Sequence, residues 1–121
     1  NCAGCTFVTN GLDIAYELVR RGFNTEIIGG QVKQITEATV GTFALEHLKQ
    51  FYFDVAFIGA NGVSEFGYST PDYKEGMLKK QVIKHSRQAF VLADSSKENK
   101  TTSFIFALPN EATWIHEKGR S

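Results

Sequence analysis

Two rhythms alternate along this chain: short runs of β-branched and aromatic residues, and longer stretches with apolar residues every three or four positions. Thr6–Asn10 (TFVTN) predicts a strand. Gly11–Arg21 sets Leu12, Ala15, Leu18 and Val19 at helical spacing with charges between, and Gly22 is a helix stop. Thr25–Ile28 predicts a second strand, halted by Gly29-Gly30, and Gln31–Thr39 is polar and irregular. Val40–Gln50 predicts a second helix with Phe43, Leu45 and Leu48 as its apolar members. Asp54–Gly59 (DVAFIG), nearly all apolar, predicts a third strand, and Ala60–Pro71, rich in Gly, Asn and Ser, a loop. Asp72–Arg87 predicts a third helix. Thr70 and Pro71 start it, Asp72 and Glu75 stand in its first turns where the helix dipole favours acids, and Met77, Leu78, Val82 and Ile83 form its buried side. Phe90–Ala93 predicts a fourth strand and Ser103–Leu108 a fifth. Asn1–Cys5 and Glu111–Ser121 read as tails, and Gly119-Arg120-Ser121 has the look of appended sequence.

Strands that alternate with helices and are apolar on both faces imply an α/β fold, a mostly parallel sheet covered by helices. The expectation is a single domain over residues 1–121, with its core over about 6–108.

Composition narrows the function classes. With 121 residues, 42% of them apolar and 21% charged, the chain suits one globular domain with a real core. Lys plus Arg and Asp plus Glu each total 13, and this balance argues against a main DNA-contacting surface, which needs a basic excess. It leaves room for a small anion, which needs only local cations. No apolar run approaches a membrane span of ~20 residues and no signal-peptide pattern opens the chain, so the expected setting is cytoplasmic, without membrane contact. Cys2 and Cys5 form a CxxC pair, but neither a second Cys pair nor a His pair follows to complete a zinc site. His47, His85 and His116 stand apart with no metal spacing, so neither a metal nor a cofactor is expected.

Ligands of open parallel sheets gather at the carboxyl ends of the strands. The residues after each predicted strand are small, polar or charged: Thr9, Asn10 and Gly11; Gly29 and Gly30; Gly59, Ala60, Asn61 and Gly62; Asp94, Ser95, Ser96 and Lys97. Glycines let backbone N–H groups approach an anion, and a helix N-terminus attracts phosphate. Lys97 adds a cation, and Asp94 suits sugar hydroxyls. Lys79 or Lys80, one or two turns into the third helix, can point back toward the same edge, although a helix with this many lysines is more usually a solvated face. These residues together suit a phosphorylated polyol. Equally, Gly and Asn after strands are what tight turns require, and Asp-Ser-Ser-Lys can be a turn with a solvated lysine. There is neither a GxGxxG nor a Walker loop, which argues against dinucleotides and nucleoside triphosphates.

The succession VTNGLDIAYEL (8–18), IIGGQV (27–32), TVG (39–41), FDVAFIGANGV (53–63), EGMLKKQVI (75–83) and VLADSSK (91–97) resembles the C-terminal sensor domain of DeoR-type transcriptional repressors. The match covers about residues 7–108, and GYSTPD (67–72) is most similar to repressors of fructose and other sugar-phosphotransferase operons. The resemblance implies a phosphorylated-sugar effector, homo-oligomerisation, and operator DNA bound by a separate N-terminal winged helix-turn-helix that this chain lacks. The family's first sensor strand, with its Gly-Thr-Thr loop, is also missing. The resemblance further implies the fold of ribose-5-phosphate isomerase and CoA transferases.

Comparison with those isomerases bears on catalysis. Where they carry Asp-Gly-Ala-Asp-Glu, this chain has Ile58-Gly59-Ala60-Asn61-Gly62, and where they carry Arg-Glu-Lys it has Leu78-Lys79-Lys80. Their Asp-x-Ser-Lys is kept as Asp94, Ser96 and Lys97. The binding part is retained and the acid–base part is lost, with Glu75, one turn away, as the remaining carboxylate. The expectation is a sensor and not an enzyme, with no catalytic residues and with Thr9, Asn10, Gly29, Gly30, Gly59, Asn61, Gly62, Glu75, Lys79, Asp94 and Lys97 holding the effector. An isomerase-like enzyme and a ligand-free oligomerisation module are the alternatives.

Overall fold

The computed structural model describes residues 4–117. Cys2 and the Gly119-Arg120-Ser121 segment lie outside them. The chain forms two compact units, Asn1–Leu48 and Lys49–Ser121.

The first unit opens with strand β1 (Thr6–Thr9), helix α1 (Leu12–Arg20) and strand β2 (Asn24–Ile27). The strands pair in parallel, Thr6 opposite Asn24 and Thr9 opposite Ile27, so this is the β-α-β unit that the pattern predicts. Gly22 ends α1 at φ +84, a left-handed turn that glycine adopts without a Cβ penalty. Phe7 meets Phe23 edge to face at 5.1 Å. Gln31–Thr39, predicted to be irregular, instead holds an antiparallel hairpin of β3 (Gln31–Lys33) and β4 (Ala38–Val40). Its turn is built without glycine or proline: Glu37 takes the left-handed conformation at φ 55 and donates its N–H to the Lys33 carbonyl at 2.7 Å. A hairpin this short, with a charged turn, leaves no alternating apolar trace. Helix α2 (Thr42–Leu48) starts later than the predicted Val40, because Val40 belongs to β4 and Gly41 turns the chain at φ 99. Ile28, Val40, Ala44 and Leu48 are the buried apolar residues of this unit.

The second unit contains β5 (Phe53–Gly59), β6 (Gly62–Ser64), β7 (Gly67–Thr70), α3 (Tyr73–Lys84), β8 (Ser86–Asp94), β9 (Phe104–Ala107) and β10 (Thr113–Glu117). Its strands sort into two sheets. The first is parallel, in the order β10-β8-β5, with Gly59 opposite Leu92 and Ile58 opposite Val91. The second is antiparallel, in the order β6-β7-β9. The segment 60–71, predicted to be a loop, therefore contributes two strands, and the predicted fifth strand pairs in the antiparallel sheet. The architecture is α/β, as expected, but mixed where a mostly parallel sheet was expected. Turn residues masked the hairpin: Gly67 sits at φ 121, and any Cβ there would run into the Ala107 carbonyl, so that glycine is a requirement of close strand approach.

Residues 113–117, read as part of a tail, form β10 in register with β8, Thr113 opposite Phe90 and Glu117 opposite Asp94. The Trp114 indole donates to the Ala93 carbonyl at 3.0 Å. That partner lies 21 residues away, which is why a local pattern cannot reveal the pairing. Strand β8 also begins earlier than predicted, at Ser86, directly after α3.

Helix α3 begins at Asp72, whose carboxylate accepts from the Lys74 N–H at 2.9 Å and the Glu75 N–H at 3.2 Å, an N-cap of the kind that stabilises a helix by about 1 kcal/mol. Leu78 is buried and Val82 and Ile83 pack on the core, whereas Met77, predicted to be buried, is exposed. The core joins both sheets through Ala56, Ile58, Val63, Tyr68, Val91, Ala93, Phe106 and Ala107. The parallel sheet is buried on one face only. Val55 and Phe57 on β5 are exposed, so the expectation of strands buried on both faces does not hold within this unit.

Candidate functional site at the strand ends

In the first unit, Thr9, Asn10, Gly29 and Gly30 lie at the carboxyl ends of β1 and β2, joined by the Ile28 N–H donating to the Thr9 carbonyl at 2.8 Å. Their polar groups are engaged locally. The Thr9 hydroxyl accepts from the Gly11 N–H at 3.1 Å. The Asn10 side chain donates to the Thr39 carbonyl at 2.9 Å, and the Asn10 carbonyl accepts from the Thr39 N–H at 2.7 Å. The Gly29 N–H donates to His47 Nδ1 at 3.1 Å. Gly30 sits at φ +135, and a Cβ there would crowd Ala44 and the Val40 carbonyl at 3.0 Å. The first turn of α1 carries its own anion, Asp13, which accepts from the Ile14 N–H at 2.9 Å.

In the second unit the edge is charged. Gly59 ends β5, is exposed and has open space where a Cβ would stand. Its carbonyl accepts from Lys79 Nζ at 2.9 Å, so the third helix does send a lysine back to the strand ends. The same ammonium lies 5.5 Å from the centroid of the buried Phe106 ring, a cation–π position. Burial pushes the Lys79 amine below its ordinary range, and Glu75, one turn earlier on α3, opposes that shift. Beyond Gly59, the Asn61 N–H donates to the Ser69 carbonyl at 2.9 Å, and Gly62 is buried against the Lys100 carbonyl and the Ser69 hydroxyl.

On the adjacent strand, ~4.8 Å away by ordinary sheet spacing, β8 ends at Asp94. Its carboxylate accepts from the Ser96 N–H at 3.0 Å and from the Ser96 hydroxyl, capping a single 3-10 turn over Ser95–Lys97. The Ser96 hydroxyl is the main reason that the Asp94 carboxyl is held below the usual carboxylate range, with Lys97 and Lys100 adding to the effect. The sequence-predicted residues Gly59, Glu75, Lys79, Asp94 and Lys97 thus belong to the strand-end edge of the second unit, and Thr9, Asn10, Gly29 and Gly30 lie at strand ends of the first. Sequence reasoning missed Lys100 and Phe106. Lys100 comes back to the edge because Asn99 turns at φ 64 and its N–H donates to the Val63 carbonyl at 2.7 Å. No pattern within 98–102 announces that return.

Among the described residues there is no cluster of His, Cys, Asp and Glu that could hold a metal ion, and no helix is long and apolar enough to cross a membrane.

The model of the DeoR C-terminal sensor domain matches residues 1–117. The chain belongs to the DeoR C-terminal sensor-domain family. Curated relatives agree with this. The uncharacterized HTH-type transcriptional regulator FruR of Bacillus subtilis is 40% identical over 109 residues, 89% of this chain and 43% of that protein. The HTH-type transcriptional repressor GlcR of the same organism is 31% identical over 112 residues, 92% of this chain and 43% of that protein. The lactose phosphotransferase system repressor of Staphylococcus epidermidis is 31% identical over 98 residues, 78% of this chain and 39% of that protein. The sensor domain thus spans under half the length of the curated relatives it matches, and those relatives are named as transcriptional regulators and repressors.

Proposed function

We propose that this sensor domain binds a phosphorylated sugar and so controls operator binding by a winged helix-turn-helix on the same polypeptide, in a cytoplasmic homo-oligomer. The fold kinship would be with ribose-5-phosphate isomerase and CoA transferases. The observation that carries the reading is the edge made by Gly59, Lys79, Asp94 and Lys97. It offers carboxylate acceptors for sugar hydroxyls beside ammonium donors for phosphate, at the carboxyl ends of neighbouring parallel strands. Glu75 belongs to the same edge, Asn61 and Gly62 flank it, and Thr9, Asn10, Gly29 and Gly30 would contribute backbone groups at most. The mechanism is a population shift: a sugar phosphate that prefers one of two conformations moves the equilibrium by its difference in affinity, and DNA affinity reports the shift.

Titration calorimetry of the intact regulator against fructose 1-phosphate, fructose 6-phosphate and glucose 6-phosphate, paired with operator-binding assays, tests the reading. Binding of at least one member with a change in operator affinity is the expected result. Heat from none of them, with no change in operator affinity, rejects it. Conversion of an aldose phosphate into a ketose phosphate would instead favour the isomerase alternative, for which Glu75 supplies the one carboxylate beside Lys79.

A further inference from the structure

The two strand ends of the candidate edge are both tied to a third strand, β10. At the end of β5, Lys79 Nζ holds the Gly59 carbonyl at 2.9 Å and lies 5.5 Å from the centroid of the Phe106 ring. That ring stacks on Tyr68, with centroids 6.5 Å apart. Both residues are buried, and the Tyr68 hydroxyl donates to the Ala112 carbonyl at 3.2 Å. Ala112 immediately precedes β10. At the end of β8, the Trp114 indole of β10 donates at 3.0 Å to the carbonyl of Ala93, the residue before Asp94. The His116 ring lies edge-on to Trp114 at 4.4 Å, and its Nε2 stands 3.9 Å from Oε1 of Glu98, which follows the Ser95–Lys97 turn. Side chains thus connect β10 to the ends of both β5 and β8.

Position makes β10 the strand that can yield. β8 is paired on both sides, whereas β10, among the described residues, is paired with β8 alone. A border strand with one ladder opens or shifts at lower free energy than a strand held from both sides. Where it settles depends on its side-chain ties, because a part-buried carbonyl such as that of Ala112 or Ala93 loses its donor if the strand moves without them. A ligand set across the ends of β5 and β8 bears on Lys79 and on the turn after Asp94, the two places from which those ties begin. We infer that β10 is the responsive strand of this sensor: occupancy of the edge changes how Tyr68 and Trp114 hold it, and its shift is what reaches the DNA-binding part. Tyr68 and Trp114 are positioning residues that act through β10. The inference rests on the sugar-phosphate reading above and names the element that carries its signal.

Two variants of the intact regulator separate binding from signalling. Tyr68→Phe keeps the ring and removes the hydroxyl, and Trp114→Phe keeps an aromatic ring and removes the indole donor. Each is measured for affinity toward fructose 1-phosphate, fructose 6-phosphate and glucose 6-phosphate, for the ratio of operator affinities with and without the sugar phosphate that binds, and for melting temperature. In the unaltered regulator that ratio is expected to be roughly fivefold or more. In each variant, sugar-phosphate affinity is expected to stay within about threefold while the ratio falls to about twofold or less. Hydrogen exchange of the 113–117 amides in the unaltered regulator needs no variant, and their protection is expected to change when the sugar phosphate is added. Unchanged protection overturns the inference, and so does a ratio that survives in both variants, whether or not they melt earlier. Loss of sugar-phosphate binding in variants that melt like the unaltered regulator also overturns it, since it would place Tyr68 and Trp114 in the site itself. All three results leave sugar-phosphate sensing standing. Failure of the unaltered regulator to bind any of the three sugar phosphates rejects that reading and the inference with it.

Discussion

The two units end their strands with similar residues and use them differently. In Asn1–Leu48, the small polar residues after β1 and β2 are tied into their own unit: Asn10 bridges to β4, Gly29 bonds His47, and Gly30 lets Ala44 approach. In Lys49–Ser121, ionisable side chains stand at the ends of β5 and β8: Lys79, sent there by α3, bonds the Gly59 carbonyl, and Lys97 and Lys100 act on Asp94. Glycine and asparagine after a strand therefore say little about ligands by themselves. Their backbone freedom serves a hairpin as readily as an anion. What separates a site from a turn is whether donors and charges are left over once the fold has taken its share.

The largest expected effect lies in the core beneath the charged edge. Phe106 is buried, stacks with Tyr68 at 6.5 Å and underlies Lys79. Phe106→Ala should cost about 3–5 kcal/mol by urea denaturation and abolish sugar-phosphate binding with it. A small loss of stability would mean that the second unit tolerates a cavity at the base of the edge.

Lys97→Ala addresses the edge itself. Among the described residues, Lys97 has no hydrogen bond or ion pair beyond its electrostatic effect on Asp94, so stability should change by about 0.5 kcal/mol or less. Affinity for a hexose phosphate should fall by roughly 10- to 100-fold, the loss of one charge-assisted contact. Unfolding in place of weakened binding would make Lys97 part of the scaffold and erase the contrast between the units.

The mirror experiment is Asn10→Ala in the first unit. It leaves the part-buried Thr39 carbonyl without its side-chain donor and should cost about 1–2 kcal/mol in thermal or chemical melting. Hexose-phosphate affinity should change by no more than about threefold, within the ~0.6 kcal/mol that separates near-neutral contacts from recognition contacts. An affinity loss as large as that of Lys97→Ala would bring Asn10 back as a ligand.

The smallest effect is a pH dependence. The Asp94 carboxyl lies below its ordinary value of 3.8, mainly through the Ser96 hydroxyl. A carboxyl lowered in the folded state binds protons less readily there than in the unfolded chain. Its contribution is therefore complete above the unfolded value and is lost as pH falls through the folded one. Melting temperatures of the unaltered protein and Asp94→Asn should accordingly differ by a constant amount above about pH 4 and converge as pH falls below it. Parallel curves across that range would show that the Ser96 contact does not persist in solution.

Much of the fold was legible along the chain because its signals are local. Leu12, Ala15 and Leu18 mark α1, Gly22 ends it, and the DVAFIG and FVLA runs mark two neighbouring parallel strands. The hairpin at 31–40 and the strand at 113–117 were not legible, since each is defined by a partner and not by its own pattern. The candidate site divides in the same way. Asp94, Lys97 and Gly59 announce themselves by following strands. Lys79 was recognised from its place on α3, but its hold on Gly59 and its seat over Phe106 were not visible.

By itself, the sequence determined the α/β class, the β-α-β order, the family and the residues that crowd the strand ends, because propensity, periodicity and motif spacing act over a few neighbouring residues. Tertiary structure alone decided which of those residues are absorbed by hairpins and which keep ionisable side chains at a strand end. It also decided that Lys100 joins them and that β10 borders β8. Those outcomes depend on pairings across tens of residues, whose energies come from contacts that no local window contains.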